Sequence, residues 1–160
     1  MHEVVPVQEW HIKELAETMQ IEDKQSVWAL AHFSPEQGLK HSLTNSIESY
    51  TWLADNKVGA IYGITSGTLL DSYVCPWFLG SDLVKKYPRI FLTGCKEWVE
   101  DTVNKYDWLQ NYVDARHKRS IKWLKWMGFK IHPEQPLGLD GLLFHKNELR
   151  KEWVERLKIS

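Results

Sequence analysis

Few residues of this chain combine the type and the setting that chemistry needs. His117, in the run Asp114-Ala115-Arg116-His117-Lys118, is the best proton carrier, because an imidazole gains and loses a proton near neutral pH. It also stands where a helix N-cap belongs, and capping or solvent exposure is the plainer reading. Cys75 would become a nucleophile only beside a base and in a positive setting. The sequence shows neither, so a small buried strand residue is expected there. Asp71 and Asp114 are carboxylates without a second carboxylate at fixed spacing, and local ion pairs or caps suit them, Asp114 with Arg116. Arg116, Lys118, Arg119, Lys122 and Lys125 form a basic cluster interleaved with Trp123 and Trp126. Lys118, Lys122 and Lys125 share a helical face, which reads first as a solvated surface and second as a contact for phosphate, nucleic acid or an acidic protein.

The elements that must hold these residues follow from periodicity and punctuation. Residues 3 to 7 read as a short strand, kept to an edge or a strand start by Pro6. Ile12, Leu15, Ala16 and Met19 have helical spacing, and a second helix is expected over Lys24 to His32 with Val27, Leu30 and Ala31 inward. Ser34-Pro35-Glu36-Gln37 has the N-cap, first-turn Pro and N3 residue of a third helix, ending near Thr44. Ser49 to Ala54 and Lys57 to Thr65 flank Asp55-Asn56 as a hairpin. Ser66-Gly67-Thr68 reads as a loop, and Leu70 to Phe78 as a strand. A long helix is expected over Pro88 to Tyr106, with Gly94 allowing close packing on a sheet. Trp108 to Asp114 is a strand, Lys118 to Met127 a helix stopped by Gly128, and Phe129 to His132 and Leu142 to His145 late strands. The boundary of a single domain at residues 1–146 leaves 147–160 as a charged helical tail with the stripe Leu149, Trp153, Leu157.

Composition sets outer limits. A chain of 160 residues with 43% apolar and 26% charged residues suits one globular α/β domain. The formal net charge of -1 lacks the global basic footprint of nucleic-acid binders. Two cysteines without ligand spacing make a zinc site or disulfide framework unexpected. No apolar run is long enough to span a bilayer, and the N-terminus is too polar for a signal peptide, so an intracellular protein is expected. Most of the nine tryptophans are expected in the core.

Two stretches carry a family resemblance. The run DARHKRSIKWLKWMGFKI, residues 114 to 131, resembles the segment of GNAT (GCN5-related N-acetyltransferase) proteins in which a strand, a short helix and a Gly-Phe strand opening follow one another. The order of elements also resembles the GNAT plan. A narrower resemblance, through PWFLGSDLVKKYPRIF at 76 to 91 and NYVDARHKRSIKWLKWMGFKI at 111 to 131, is to GNAT-like proteins of short-tailed bacteriophages, some called internal virion proteins.

The resemblance implies a mixed central sheet flanked by helices, acetyl-CoA or coenzyme A as cofactor, and no metal. Backbone at Val74 and Cys75, a shifted Gly80-Ser81 nest, and Lys85 or Lys86 would meet the cofactor. His117 would move the proton, and Tyr73 would lie near the acyl group. Four positions depart from the family pattern. Leu79 stands for Arg or Gln, Asp82 and Val84 for the phosphate-loop glycines, and Leu124 for the tyrosine acid. An Asp repels a diphosphate, and Val does not readily take the φ > 0 that such loops use. Two functions are therefore expected in competition. One is a phage-encoded binding module with a degenerate acyl-CoA site, acting on a host or virion protein in the host cytoplasm or the particle. The other is an N-acetyltransferase acting on an amine of a host protein or small molecule. Nucleic acid and membrane are not expected partners.

Overall fold

The computed structural model describes residues 1–67 and 72–159, with side chains through residue 156. Thr68, Leu70, Asp71 and Leu157, named above from the sequence, lie outside the described side chains. The chain runs β1 (His2–Val5), α1 (Glu9–Thr18), α2 (Ile21–Ala31), α3 (Pro35–Thr44), β2 (Ser46–Ala54), β3 (Lys57–Ser66), β4 (Val74–Gly80), α4 (Leu83–Lys86), α5 (Pro88–Tyr106), β5 (Trp108–Asp114), α6 (Lys118–Trp126), β6 (Lys130–Pro136), β7 (Leu143–Arg150) and α7 (Lys151–Ile159).

Local signals explain several of these elements. Ser34 Oγ accepts from the Gln37 N–H while the Gln37 side chain accepts from the Ser34 N–H, closing a capping box over Pro35. Asp55 and Asn56 both have positive φ, 52° and 65°, as a two-residue hairpin turn with right-handed twist requires. Gly128 takes φ 100° just past α6, where a residue with a Cβ would be strained.

Seven strands form one sheet in the order β1-β2-β3-β4-β5-β7-β6. Every neighbouring pair is antiparallel except β4 and β5, which run parallel. Alternation sends Leu53, Val58 and Ile61 to one face, where they meet Ile12, Leu15, Met19 and Leu39 of α1, its end and α3. Trp52, Ala54 and Ala60 face the other way, against Val84 of α4 and Phe91 of α5. A third cluster joins Val74, Leu109 and Leu149 of the sheet to Val99 and Val103 of α5 and Val154 of α7. Among the described residues no helix is long and apolar enough to cross a membrane.

Three expectations are corrected. The second helix begins three residues earlier than its apolar spacing suggests, and it buries Asp23 and Ala29 while Leu30 stays 42% exposed. The final helix begins at Lys151 rather than Asn147, because Asn147–Arg150 completes a strand paired with both β5 and β6. Leu149 of the supposed stripe is a fully buried strand residue. Five of the nine tryptophans serve the core as expected, Trp52 buried in it and Trp77, Trp98, Trp123 and Trp153 packed half-buried against it, while Trp10, Trp28 and Trp126 are exposed.

Gly94 is the third correction. A Cβ built there meets no atom within 4 Å, so the glycine serves no close approach to the sheet. It sits inside α5, where glycine costs about 0.5–1 kcal/mol relative to alanine. Gly94→Ala should therefore raise the unfolding free energy by about that amount in urea denaturation. A destabilised variant would contradict the open space around this position.

Candidate functional site

The sheet opens where its two parallel strands meet. β4 and β5 share one ladder pair, Val74 with Leu109, and then part. Pro76 has no N–H to offer a ladder, and its carbonyl is taken by the Asn111 side-chain amide from across the gap, at 2.5 Å. Beside the wedge lies a cavity of about 170 Å³ lined by Phe78, Phe91, Trp98, Trp123 and Leu124, with Asp23 and Ser120 as polar members. Cavities near this size hold benzene-sized molecules. Cys95 faces the same cavity, and burial pushes its thiol up to about 12, which makes it a poor nucleophile.

Ligands of open α/β sheets gather outside the carboxyl ends of parallel strands. Here α2 lies across those ends. Asp23, in its first turn and 5% exposed, accepts from the Gly80 N–H through Oδ2 at 2.8 Å. The same oxygen accepts from Gln20 Nε2 at 2.8 Å, and Oδ1 accepts from His117 Nε2 at 3.0 Å. Ser26, one turn further along α2, places its hydroxyl 3.5 Å from Asp114 Oδ2 at the end of β5. The link between α1 and α2 completes the closure, with the Gln20 N–H donating to the Gly80 carbonyl at 2.9 Å.

The turn after β4 spends most of its backbone donors internally. The Ser81 N–H goes to the Gly59 carbonyl, and the Ser81 hydroxyl donates to the Val58 carbonyl. The N–H groups of Leu83, Val84, Lys85, Lys86 and Tyr87 bond to Ser81, Asp82 or Leu83. Gly80 and Ser81 are buried and take no nest conformation, since neither has positive φ. Gly80 is needed for another reason, because a Cβ there would come within 2.7 Å of Val84. Lys85 is paired with Glu22 at 3.1 Å and with Asp82 at 3.5 Å. Lys86 packs over the Tyr87 ring at 5.3 Å. Leu79 joins the apolar cluster under α1 and α3, Val84 is fully buried against α5, and Leu124 packs on the cluster around α5.

His117, expected to move the proton, and Tyr73, expected near the acyl group, are not brought together. Tyr73 lies just before β4, against the Trp108 ring at 5.3 Å, while His117 follows the far end of β5. At about 3.3 Å per strand residue they stand roughly 20 Å apart. Val74 is a core residue, and Cys75 pairs in register with Thr65 at the end where β4 and β5 are still joined. His117 occupies the N-cap position of α6 but makes no side-chain cap, and it is 7% exposed, neither of its plainer roles. Ser120 Oγ lies 3.1 Å from the same Nε2 that serves Asp23, and the buried Nδ1 has no partner among the described residues. A Ser-His-Asp relay needs the two ring nitrogens in separate roles, so these three residues do not form one.

Charge at this end of the sheet is compensated unevenly. Burial alone would raise the Asp114 pKa, but the Arg116 guanidinium and N–H bonded to it hold the carboxyl below its usual range. The remaining cations of α6 have no acidic partner among the described residues. No group of three or more possible metal ligands comes together among the described residues. Asp23 had no signal in the sequence beyond an acidic residue near a helix start; Asn111, Ser120 and Trp98 had none.

No protein-family model matches the chain, and no curated protein resembles it in sequence. Solved structures resemble it along nearly its whole length. An N-acetyltransferase from Staphylococcus aureus Mu50 superposes with TM-score 0.71 at 12% identity, covering 94% of this chain and 99% of that one. The ribosomal-protein-S18-alanine N-acetyltransferase from Escherichia coli gives 0.63 at 12% identity, covering 94% of each chain. Spermidine N-acetyltransferase from Vibrio cholerae, in complex with CoA and spermine, gives 0.68 at 8% identity, covering 96% of this chain and 98% of that one. The chain has the GNAT fold.

Two outcomes follow for this end of the sheet. Asp23→Ala strands three donors in a buried setting and should cost at least about 2 kcal/mol of stability by urea denaturation; a neutral substitution would contradict the cluster. Because the folded pKa of Asp114 is depressed, its stabilisation is full above the ordinary carboxylate range and fades as pH falls through the folded value. Arg116→Ala should thus be less stable than the parent at neutral pH, with the gap closing in acid. A gap independent of pH would contradict this.

Proposed function

We propose that this chain is a GNAT-fold protein that works by binding a protein partner, its acyl-CoA site being closed by its own residues. One observation carries the reading: most backbone donors at the end of β4 and in the turn after it are spent internally, and the first of them, at Gly80, is spent on the carboxylate of Asp23. A diphosphate asks for several free N–H groups and for positive surroundings. At this turn it would meet Asp23, Glu22 and Asp82, with Lys85 already neutralised by two of them. The residues present do not fit the cofactor as they stand, and no catalytic step is derived through it. The resemblance to phage proteins supplies the setting, a host or virion protein as partner, in the host cytoplasm or the particle.

A second reading is favoured by the wedge itself. Parting of β4 and β5 beside an apolar cavity is the kind of slot an extended thioester arm would enter, and solved relatives of the fold acetylate spermidine or a ribosomal alanine. In that reading the chain transfers an acetyl group from acetyl-CoA to an amine of a host protein or small molecule. Opening the site would then require α2 to release Gly80, with His117 freed from Asp23 as the proton carrier.

A thermal-shift titration with acetyl-CoA and with coenzyme A separates the two. The binding reading predicts an unchanged melting midpoint up to millimolar cofactor. A saturable rise, worth about 2.7 kcal/mol at a hundredfold excess over Kd, would overturn it in favour of the enzyme.

A further inference from the structure

We infer that the exposed face of α6 is the docking surface for that partner, and that it grips an acidic protein segment. The inference rests on the binding reading above and names the surface it would use. Between Asp114 and Glu134 the chain has no acidic residue, yet it has Arg116, Lys118, Arg119, Lys122, Lys125 and Lys130. Arg116 is engaged by Asp114. Lys118, Arg119, Lys122 and Lys125 are exposed and have no acidic partner among the described residues. At about 100° per residue, Lys118, Lys122 and Lys125 fall within roughly 60° of arc, and Trp126 and Arg119 lie along its edge. Ile121 lies outside that arc and is buried.

Two features set this face apart from an ordinary solvated one. The first turn of α6 carries Lys118 and Arg119, no acidic residue and no side-chain cap, so both cations oppose the helix dipole. A sequence that served only the helix would place carboxylates there, and a local rule broken without a local gain marks a function elsewhere. Carboxylates from a partner would satisfy the dipole and the cations together. The second feature is Trp126, 53% exposed, with Lys96 of α5 over its ring at 4.7 Å. Trp and Arg are the residues most often found at binding hot spots.

The charge balance favours an acidic segment over a nucleic acid. The whole chain is at -1, so the rest of its surface is acidic in sum. A nine-residue helix presents about 13 Å of basic face. A duplex carries a charge every 1.7 Å or so and would run on past this face into repulsion. A short acidic segment would end with it.

Fluorescence anisotropy tests this on the full chain, with a labelled short peptide of glutamates around a Leu-Leu centre as probe. Saturable binding should weaken with salt, fall about tenfold in Lys122→Gln/Lys125→Gln, and fall further in Lys122→Glu/Lys125→Glu. Trp126→Ala should weaken it severalfold, with the melting midpoints of all variants near the parent's. Binding unaffected by these changes, or tighter binding of a DNA duplex of similar length, overturns the inference. So does an absence of peptide binding in a protein that also ignores acetyl-CoA, which leaves the binding reading in place with another surface. Displacement of the peptide by coenzyme A overturns both, since the face would then be holding cofactor phosphates.

Discussion

The carboxylate of Asp23 gathers donors from three places in the chain: the Gln20 amide before α2, the Gly80 N–H ending β4, and the His117 ring before α6. A buried carboxylate is costly unless its oxygens are bonded, and each hydrogen bond to a charged group contributes about 1.5–3 kcal/mol. Three such bonds make burial tolerable. In return they fix where α2 lies, and α2 in turn decides what the ends of β4 and β5 can do.

The fold and the site thus point different ways. A sheet that parts at a parallel pair leaves backbone groups unpaired and a crevice at the strand ends, which is the feature that lets this architecture host a ligand. In this chain several of those backbone groups are satisfied from within, although a cavity remains beside the wedge. Asn111 takes the Pro76 carbonyl across the gap, Ser81 is tied back to β3, and Asp23 presents negative charge to the N–H that an incoming anion would seek. Fold likeness at 8–13% identity speaks for architecture, and chemistry has to be read from such contacts.

What the sequence made visible was what neighbours in sequence decide. The Ser34–Gln37 capping box, the Asp55-Asn56 turn and Gly128 after α6 are local devices, and each stands where spacing put it. The substitutions at Leu79, Val84 and Leu124 were legible as departures, and all three are apolar packing residues. Asp23 was not legible, because its partners lie 57 and 94 residues away and an acidic residue in a first helical turn ordinarily faces water. The end of β7 was misread as helix for a related reason. Glu148 is bonded by His132 of β6 and by Arg150 of its own strand, and Arg150 lies over the Trp108 ring of β5, so nothing in Asn147–Arg150 looks like a buried strand until the sheet is assembled.

The most direct measurement is the Gly80 amide resonance by ¹⁵N NMR, followed through hydrogen exchange and through addition of acetyl-CoA. A donor held by the Asp23 carboxylate in a buried turn exchanges slowly, and its resonance stays in place when millimolar acetyl-CoA is added. Rapid exchange of that amide, or a shift that saturates with the cofactor, would show an open anion site at the end of β4 and would contradict the account.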